Sequence, residues 1–191
     1  MSKLSELRGE NTAVYQPAED SGLLASAARE RVGSDDRVLD VGTGSGWVAQ
    51  RVAETGAEVV ASDVNPHACE QARERGVPVV RADLTEPFRT GSFDWVLFNP
   101  PYLPLDEEAF RDDWMEVALT GGETGREVIE PFLEGVGRVL APGGSVLMLV
   151  SSLTDIEEVA SYADDQGLAA ETVTEESHPF ERLVVLRLWP A

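Results

Sequence analysis

Short apolar runs alternate with stretches of helical periodicity along nearly the whole chain, and this alternation limits the possible folds most strongly. Strand-like runs that alternate with helices are typical of α/β proteins with a mostly parallel sheet. The sequence therefore predicts that fold class, with a C-terminal antiparallel pair. The predicted strands cover residues 37–41, 58–62, 77–81, 93–98, 145–150 and, as the second member of the terminal pair, 184–188.

Helical patterns fill the intervals between these runs. The predicted helices cover 19–31, 46–55, a segment starting at Asn65-Pro66, 125–140 and 155–166. Asn65 is suited to cap its helix, and a proline is well tolerated at the first helical position. A stretch of more than 20 residues after position 102 carries no strong pattern, and so long a loop in a compact domain suggests a function. Repeats and linkers are not apparent, so we expect one domain over 1–191.

The formal net charge is −20, and Lys3 is the only lysine. Such a chain is unsuited to nucleic acid, because phosphate binding depends on clustered lysine and arginine. Molar salt shortens the Debye length to about 3 Å, so a charge of this size is also typical of proteins from salt-loving organisms. Cys69 is the only cysteine, and no run of 18 apolar residues and no signal peptide is found. We expect a cytoplasmic setting.

A glycine-rich turn directly after the first predicted strand is the first candidate site. Glycines occupy alternate positions 42, 44 and 46. Glycine permits positive φ angles and lets the backbone lie against a ligand. In open α/β sheets ligands bind beyond the carboxyl ends of the strands, where this turn falls. Gly42 and Gly44 are therefore predicted to contact a ligand; a plain connection between strand and helix is the alternative.

Acidic residues follow the next two predicted strands. Asp63 lies 21 residues beyond Gly42, a position suited to accepting hydrogen bonds from ribose hydroxyls. Asp83 is predicted to accept from an adenine amino group while Leu84 packs against the base. Alternatively, Asp63 only caps the helix behind it and Asp83 is an ordinary loop residue. Three strand ends in register favour a nucleoside site.

Two cofactors compete for this site. A nicotinamide dinucleotide is usually held by Gly-x-Gly-x-x-Gly, whose third glycine admits helix packing beside a pyrophosphate. Here the third glycine comes one residue early, and Asp40 stands two positions before the first. An acidic side chain suits the ammonium group of a methionine moiety better than it suits a pyrophosphate. The residues favour S-adenosyl-L-methionine, with S-adenosyl-L-homocysteine as product.

Asn99-Pro100-Pro101-Tyr102 ends the fourth predicted strand and is the second candidate site. An amide or base amine nitrogen is a poor nucleophile, because its lone pair is delocalised. The Asn99 side-chain oxygen and the Pro100 carbonyl can accept its two N–H groups, which aims the lone pair and stabilises positive charge developing on nitrogen. Tyr102 is predicted to offer a flat face to the planar group. Alignment and electrostatics suffice, so neither a general base nor a metal is required.

These motifs resemble the class I methyltransferases with an Asn-Pro-Pro-Tyr motif, and in particular the short archaeal and eukaryotic HemK-type branch. Residues 14–21 resemble its N-terminal signature Tyr-x-Pro-x-Glu-Asp-Thr, with Ser21 in place of threonine. Residues 98–104 are similar to its catalytic segment, and 121–128 to its glycine-rich stretch. The bacterial members carry an additional N-terminal helical domain, for which this chain lacks room.

The resemblance implies a Rossmann-like sheet of seven strands with helices on both faces, and N5-methylation of the Gly-Gly-Gln glutamine of an archaeal-type release factor. It divides the domain into a cofactor-covering segment (1–31), a cofactor-binding half with the catalytic motif (37–102), a substrate-side loop (103–124) and a C-terminal half (125–191). The implied site residues are, for the cofactor, Tyr15, Pro17, Ser21, Asp40, Gly42, Gly44, Asp63, Asp83, Leu84 and Asn99 and, for catalysis and substrate, Asn99, Pro100 and Tyr102.

The short branch also works with a small zinc-binding activator protein. Residues 77–81 would form an apolar edge strand without the lysine that discourages edge pairing, so we expect the activator to add a strand there. A proline at position 78 itself discourages edge pairing and argues against this expectation.

Two other functions remain as alternatives. One is methylation of adenine N6 or guanine N2 in nucleic acid, which usually needs a basic track. The other is a cofactor-binding scaffold without catalysis, which would not need Asn99.

Overall fold

The computed structural model describes residue 14 and residues 19–103 and 114–191. Helices and strands alternate as the sequence predicts. The helices are α1 (Glu19–Arg29), α2 (Trp47–Ala53), α3 (Pro66–Glu74), α4 (Trp114–Leu119), α5 (Ile129–Val139) and α6 (Ile156–Asp165), with a 3₁₀ turn at Ser152–Thr154. The strands are β1 (Arg37–Val41), β2 (Glu58–Asp63), β3 (Val79–Arg81), β4 (Phe93–Phe98), β5 (Leu140–Ser151), β6 (Leu168–His178) and β7 (Glu181–Pro190).

Within the described residues the strands form one seven-stranded sheet in the order β3-β2-β1-β4-β5-β7-β6. The pairs among β1 to β5 are parallel, and β7 is antiparallel to both β5 and β6. The predicted seven-stranded, mostly parallel sheet with an antiparallel C-terminal strand is therefore confirmed. The order changes direction beside β1, and ligands bind at such a switch point in open α/β sheets.

Two apolar layers cover the two faces of the sheet, as the period-2 alternation of strand side chains requires. In β1, Val38 packs in one layer with α1, α2 and α3, and its neighbour Leu39 packs in the other with α5 and α6. Phe132 of α5 lies in the second layer with its ring centroid 4.2 Å from that of Phe98. Both sides of the sheet are thus covered by helices, as expected.

Parallel register brings the carboxyl ends of the central strands together. Val41, the last residue of β1, is paired with Ser62 of β2 and with Phe98 of β4. Asp63 is paired with Arg81 at the end of β3. The segments that follow these four strands therefore all leave the sheet at the carboxyl ends of the strands.

Several predicted boundaries differ from the observed ones for local reasons. The strand predicted at 77–81 begins at Val79, because Pro78 has no N–H for a ladder. The helix predicted from 125 begins at Ile129, after Gly125 with φ +75°. The strand predicted at 145–150 begins earlier, at Leu140, because Leu140 already pairs with Phe93 of β4 before the register shifts to Trp95 and Ser145.

The predicted loop after position 102 contains the short helix α4, which the sequence analysis missed. The chain then returns beside its starting point, because Leu103 N–H donates to the Leu119 carbonyl and Gly121 N–H donates to the Leu103 carbonyl, at 3.0 and 2.9 Å. Across residues 14, 19–103 and 114–191, no helix is both long and apolar enough to cross a bilayer.

Gly46 connects the glycine turn to the helical layer. It precedes α2 with φ +79°, and a Cβ built on it would lie 2.9 Å from the Cα and Cβ of Ala72 in α3. A side chain here would therefore meet both backbone strain and a steric clash.

We predict that Gly46→Ala destabilises the fold more than Gly76→Ala does. Gly76 has φ +80° but nothing within 4 Å of an added Cβ, so its variant should carry only the left-handed backbone strain of about 1–2 kcal/mol. Gly46→Ala adds overpacking of about 1–3 kcal/mol. Urea unfolding of both variants at one salt concentration measures the difference. An equal loss in both would contradict the close contact between α2 and α3.

Candidate active site

A cavity of about 290 Å³ lies at the carboxyl ends of β1 to β4. It is lined by the segments that follow these strands and by residues of α1 and α4. Of the predicted site residues, the cavity is lined by Ser21, Asp40, Gly42, Gly44, Asp63, Asp83, Leu84 and Asn99. The structure therefore brings together residues spread over about 80 positions of sequence.

The glycine turn after β1 is held against the end of β2. Gly42 and Gly44 have φ angles of +61° and +55°, so their backbone conformation is one that side chains disfavour. The Asp63 carboxylate accepts from Gly44 N–H and, through its other oxygen, from Asn65 N–H, each at 2.8 Å. Asp63 thus links the turn to the start of α3 while it also lines the cavity, and its role as an acceptor for ribose hydroxyls stays a prediction.

Asp40 lies beneath the turn and is almost fully buried. Its carboxylate accepts from the Thr43 hydroxyl. Burial raises the pKa of Asp40 to about 7, and the nearby Asp63 carboxylate adds to the rise, while the hydrogen bonds from Thr43 and from the Ala49 backbone oppose it. Burial also raises the pKa of Asp63. A cationic group in the cavity would relieve both effects, whereas an anion would increase them.

The segment after β3 forms another part of the cavity wall, through Asp83 and Leu84. Asp83 is exposed and Leu84 is half-buried against the second apolar layer. Leu84 has φ +46°, a strained conformation for a residue with a branched side chain. Strain of this kind concentrates at functional sites, where surrounding contacts hold it. The Ser62 hydroxyl donates to the Leu84 carbonyl at 3.4 Å and provides one such contact.

Asn99 directly follows β4 and lines the cavity. Its side-chain Nδ2 donates to Asp20 Oδ2 at 3.4 Å. Its Oδ1 is buried and has no hydrogen-bond partner among the residues that the structure describes. A buried acceptor without a partner costs about 1–3 kcal/mol, so such an atom in a cavity wall is a candidate ligand contact.

The other residues of the motif lie deeper. Pro100 is buried and is not among the described residues that line the cavity. Tyr102 packs in the first apolar layer, and its hydroxyl donates to Asp20 Oδ2 at 3.5 Å. The flat substrate-facing role expected of Tyr102 stays a prediction. The predicted cofactor residues Tyr15 and Pro17 lie outside the described part of the chain.

Several lining residues were not predicted. They come from the same turns as the predicted ones or from the first turn of the following helix: Thr43, Ser45, Trp47, Val48, Val64, Asn65, Ala68 and Ala82. Their positions beside Gly42, Asp63 and Asp83 are the signal that could have indicated them. Phe98, Pro101, Ala118 and Val128 also line the cavity.

The sequence does not indicate the roles of Trp114 and Arg126, but the structure gives both of them positions. Trp114, at the start of α4, lines the cavity. Arg126 donates to the Thr154 carbonyl at 3.0 Å and lies 3.5 Å from the Glu130 carboxylate, so its interactions are with the protein itself.

Comparison with known proteins identifies relatives along nearly the whole chain. Residues 38–122 match the family described as a methyltransferase domain. The protein MJ0928 of Methanocaldococcus jannaschii, assigned as a protein N5-glutamine methyltransferase, is 37% identical over 92% of this chain and 91% of its own length. Human methyltransferase HEMK2 is 32% identical over 94% of this chain and 91% of its own length. The release factor glutamine methyltransferase of Deinococcus radiodurans is 35% identical over 74% of this chain and 55% of its length.

Among solved structures, the E. cuniculi Mtq2-Trm112 complex, responsible for methylation of the eRF1 translation termination factor, superposes with a TM-score of 0.78. The match has 28% identity and covers 94% of this chain and all (100%) of that chain. A Bacteroides fragilis S-adenosyl-L-methionine-dependent methyltransferase, solved with S-adenosyl-L-homocysteine, shares the fold with a TM-score of 0.63 at 24% identity, covering 88% of this chain and 77% of that one.

The fold, the cavity at the strand ends and these relatives agree with one another. The fold is that of the S-adenosyl-L-methionine-dependent methyltransferases, as the glycine turn and Asp40 predict. The resemblance drawn from the sequence motifs is therefore confirmed, and the chain belongs to the protein N5-glutamine methyltransferases of the HemK type, the family that includes HEMK2.

Proposed function

We propose that this enzyme methylates the side-chain nitrogen of the Gly-Gly-Gln glutamine of an archaeal-type translation release factor. The observation that carries the proposal is the buried Asn99 Oδ1 in the wall of the cavity, which accepts no hydrogen bond from the residues that the structure describes. A carboxamide NH2 is the complementary donor. The names of the D. radiodurans relative and of the Mtq2-Trm112 complex support a release factor as the protein that presents it.

The donor set fits S-adenosyl-L-methionine. Asp40 and Asp63 face the cavity with raised pKa values, which suits a ligand that carries an ammonium and a sulfonium group. Asp63 and Asp83 would accept from the ribose hydroxyls and the adenine amino group, and Leu84 would pack against the base. Ser21, Gly42 and Gly44 would complete the contacts, as would Tyr15 and Pro17. When bound, S-adenosyl-L-methionine supplies the electrophilic methyl group.

The chain's own residues act on the acceptor. Asn99 Oδ1 accepts one N–H of the glutamine carboxamide and the Pro100 carbonyl accepts the other, so the nitrogen lone pair is held toward the methyl group. Both acceptors stabilise the positive charge that develops on nitrogen. Formation of the N–CH3 bond breaks the S–CH3 bond, and the nitrogen then loses a proton to solvent. The products are N5-methylglutamine and S-adenosyl-L-homocysteine.

We also infer that a small zinc-binding activator protein pairs with the free edge of β3. This strand is at the edge of the sheet, Val80 is 40% exposed, and no lysine protects it. An added strand would satisfy the backbone groups that β3 leaves unpaired. The complex of Mtq2 with Trm112 supports a partner for this family. This chain would form a single methyltransferase domain over 1–191. Together with the activator, it would act in the cytoplasm of a salt-loving archaeon.

We predict that purified enzyme, assayed with its activator and labelled cofactor, transfers label to release factor but neither to its Gln-to-Ala variant nor to duplex DNA.

Asn99→Ala should lower turnover about 10²–10³-fold with unchanged cofactor affinity, by analogy with loss of one oxyanion-hole donor. Gln50→Ala is the matched control, because it removes a carboxamide of α2 that is not among the described residues lining the cavity. Label in DNA, or equal label in the Gln-to-Ala variant, would overturn the proposed substrate.

A second prediction concerns pH. Asp40 is largely neutral below its pKa of about 7 and ionised above it. Since a cationic ligand prefers the carboxylate, cofactor affinity should rise with pH by up to about tenfold between pH 6 and pH 8. Asp40→Asn should remove this part of the pH dependence, leaving the contributions of Asp63 and of the cofactor's own amine. Calorimetric titration of both proteins measures it; identical pH profiles would argue against contact between Asp40 and the ammonium group.

A third prediction tests the edge strand. Val80→Lys should weaken activator binding at least about tenfold, because an edge lysine discourages strand addition. Phe180→Lys removes a side chain that is 94% exposed in the turn between β6 and β7, at the other end of the sheet, and should leave binding unchanged. Titration of each variant with purified activator decides the question. Equal affinities for both variants would place the partner elsewhere.

A further inference from the structure

We propose that Asp20 is a positioning residue that decides which end of the Asn99 carboxamide faces the substrate. The inference deepens the proposed function and rests on it. Asp20 lies in the first turn of α1 and is 3% exposed. Asp20 is next to Ser21 in sequence. In space its side chain also meets Asn99 and Tyr102, which lie at the C-terminal end of the cofactor-binding half (37–102).

The Asp20 carboxylate is shared between two groups of contacts. Oδ1 accepts from the backbone N–H of Ser21 at 2.7 Å. Oδ2 accepts from Asn99 Nδ2 at 3.4 Å and from the Tyr102 hydroxyl at 3.5 Å. One carboxylate therefore joins α1 to the first and last residues of the Asn99-Pro100-Pro101-Tyr102 motif.

A carboxamide can turn over by 180° with almost no change in shape, but its two ends have opposite hydrogen-bonding properties. The carboxyl oxygen Oδ2 of Asp20 accepts from Asn99 Nδ2, so this contact selects the orientation in which the Asn99 NH2 group faces Asp20. The oxygen is then forced to the other side, where it has no partner among the described residues. Only this orientation presents an acceptor to the N–H of an incoming carboxamide; the reverse one would set two NH2 groups against each other.

The same contact explains the position of Tyr102. Its ring is buried in the core away from the cavity lining, and its hydroxyl donates to the oxygen that holds Asn99. Tyr102 therefore supports the carboxylate from the side opposite Ser21.

The first test is Asp20→Asn. The new side chain has a single oxygen, which should stay with the Ser21 N–H at the shortest of the three contacts, so its NH2 group would face Asn99. Asn99 should then turn over and present NH2 to the substrate. We expect kcat to fall about 10²-fold, with the cofactor Kd within about threefold of wild type. Asp94→Asn makes the same acid-to-amide change near the amino end of β4, at the end of the strands away from the cavity, and should leave kcat unchanged.

The second test exchanges the two groups. Asn99→Asp alone should be less active than wild type and most impaired at high pH, because two adjacent carboxyl groups must either repel each other or share one proton. In the double variant Asp20→Asn/Asn99→Asp, the NH2 group at position 20 donates to the new carboxylate, whose other oxygen accepts from the substrate. We expect kcat at least about tenfold above that of Asp20→Asn, since interacting residues give non-additive effects. A purely structural role for Asp20 would make the double variant no better than either single one.

A third readout needs no substrate. The Asn99 side-chain NH2 resonances, assigned by their loss in Asn99→Asp, should shift in Asp20→Asn because the carboxylate acceptor is gone. Unshifted resonances, a kcat for Asp20→Asn within about threefold of wild type, or no recovery in the double variant would each overturn the role of Asp20. Failure of wild-type enzyme to methylate release factor would instead overturn the proposed substrate, and the resonances would still report on Asp20.

Discussion

Parallel register between β1 and its two neighbours is the constraint on which the rest of the molecule depends. Val41 is paired with Ser62 and with Phe98, so the glycine turn, Asp63 and Asn99 all lie at the carboxyl ends of the strands. A shift of one residue would turn the side chains of a strand to the opposite face and separate these groups. The two apolar layers fix the register, because each face of β1 must meet its own set of helices.

The cavity combines this geometry with an unusual charge arrangement. Asp40 and Asp63 are held close together in a poorly solvated place, and burial raises the pKa of both. Such an arrangement is unfavourable without a ligand and becomes favourable with a cationic one. The Asn99 side-chain oxygen likewise has no partner within the described parts of the chain. In each case stability is given up where a ligand can restore it, as is common at functional sites.

Much of the fold was predictable because its signals are local. The ends of β1 and β4 were predicted at the observed residues, since both are apolar runs bounded by polar turn residues. The predictions were wrong where chain connections rather than periodicity decide the outcome. The strand predicted to begin at residue 145 begins at Leu140 instead, because Leu140 already pairs with Phe93 of β4. The helix α4 was missed because its six residues carry little periodic signal.

The class of fold, the family and the chemistry available at each strand end can be predicted from the amino-acid sequence, because glycine, aspartate and asparagine each have properties that do not depend on distant neighbours. How these groups combine depends on the packing of the folded chain. This packing placed Tyr102 in the core instead of the cavity lining, and it set Asp20 against Asn99 across 79 positions of sequence. Such contacts depend on how α1 packs beside the sheet, and no local pattern encodes the direction in which a buried carboxamide faces.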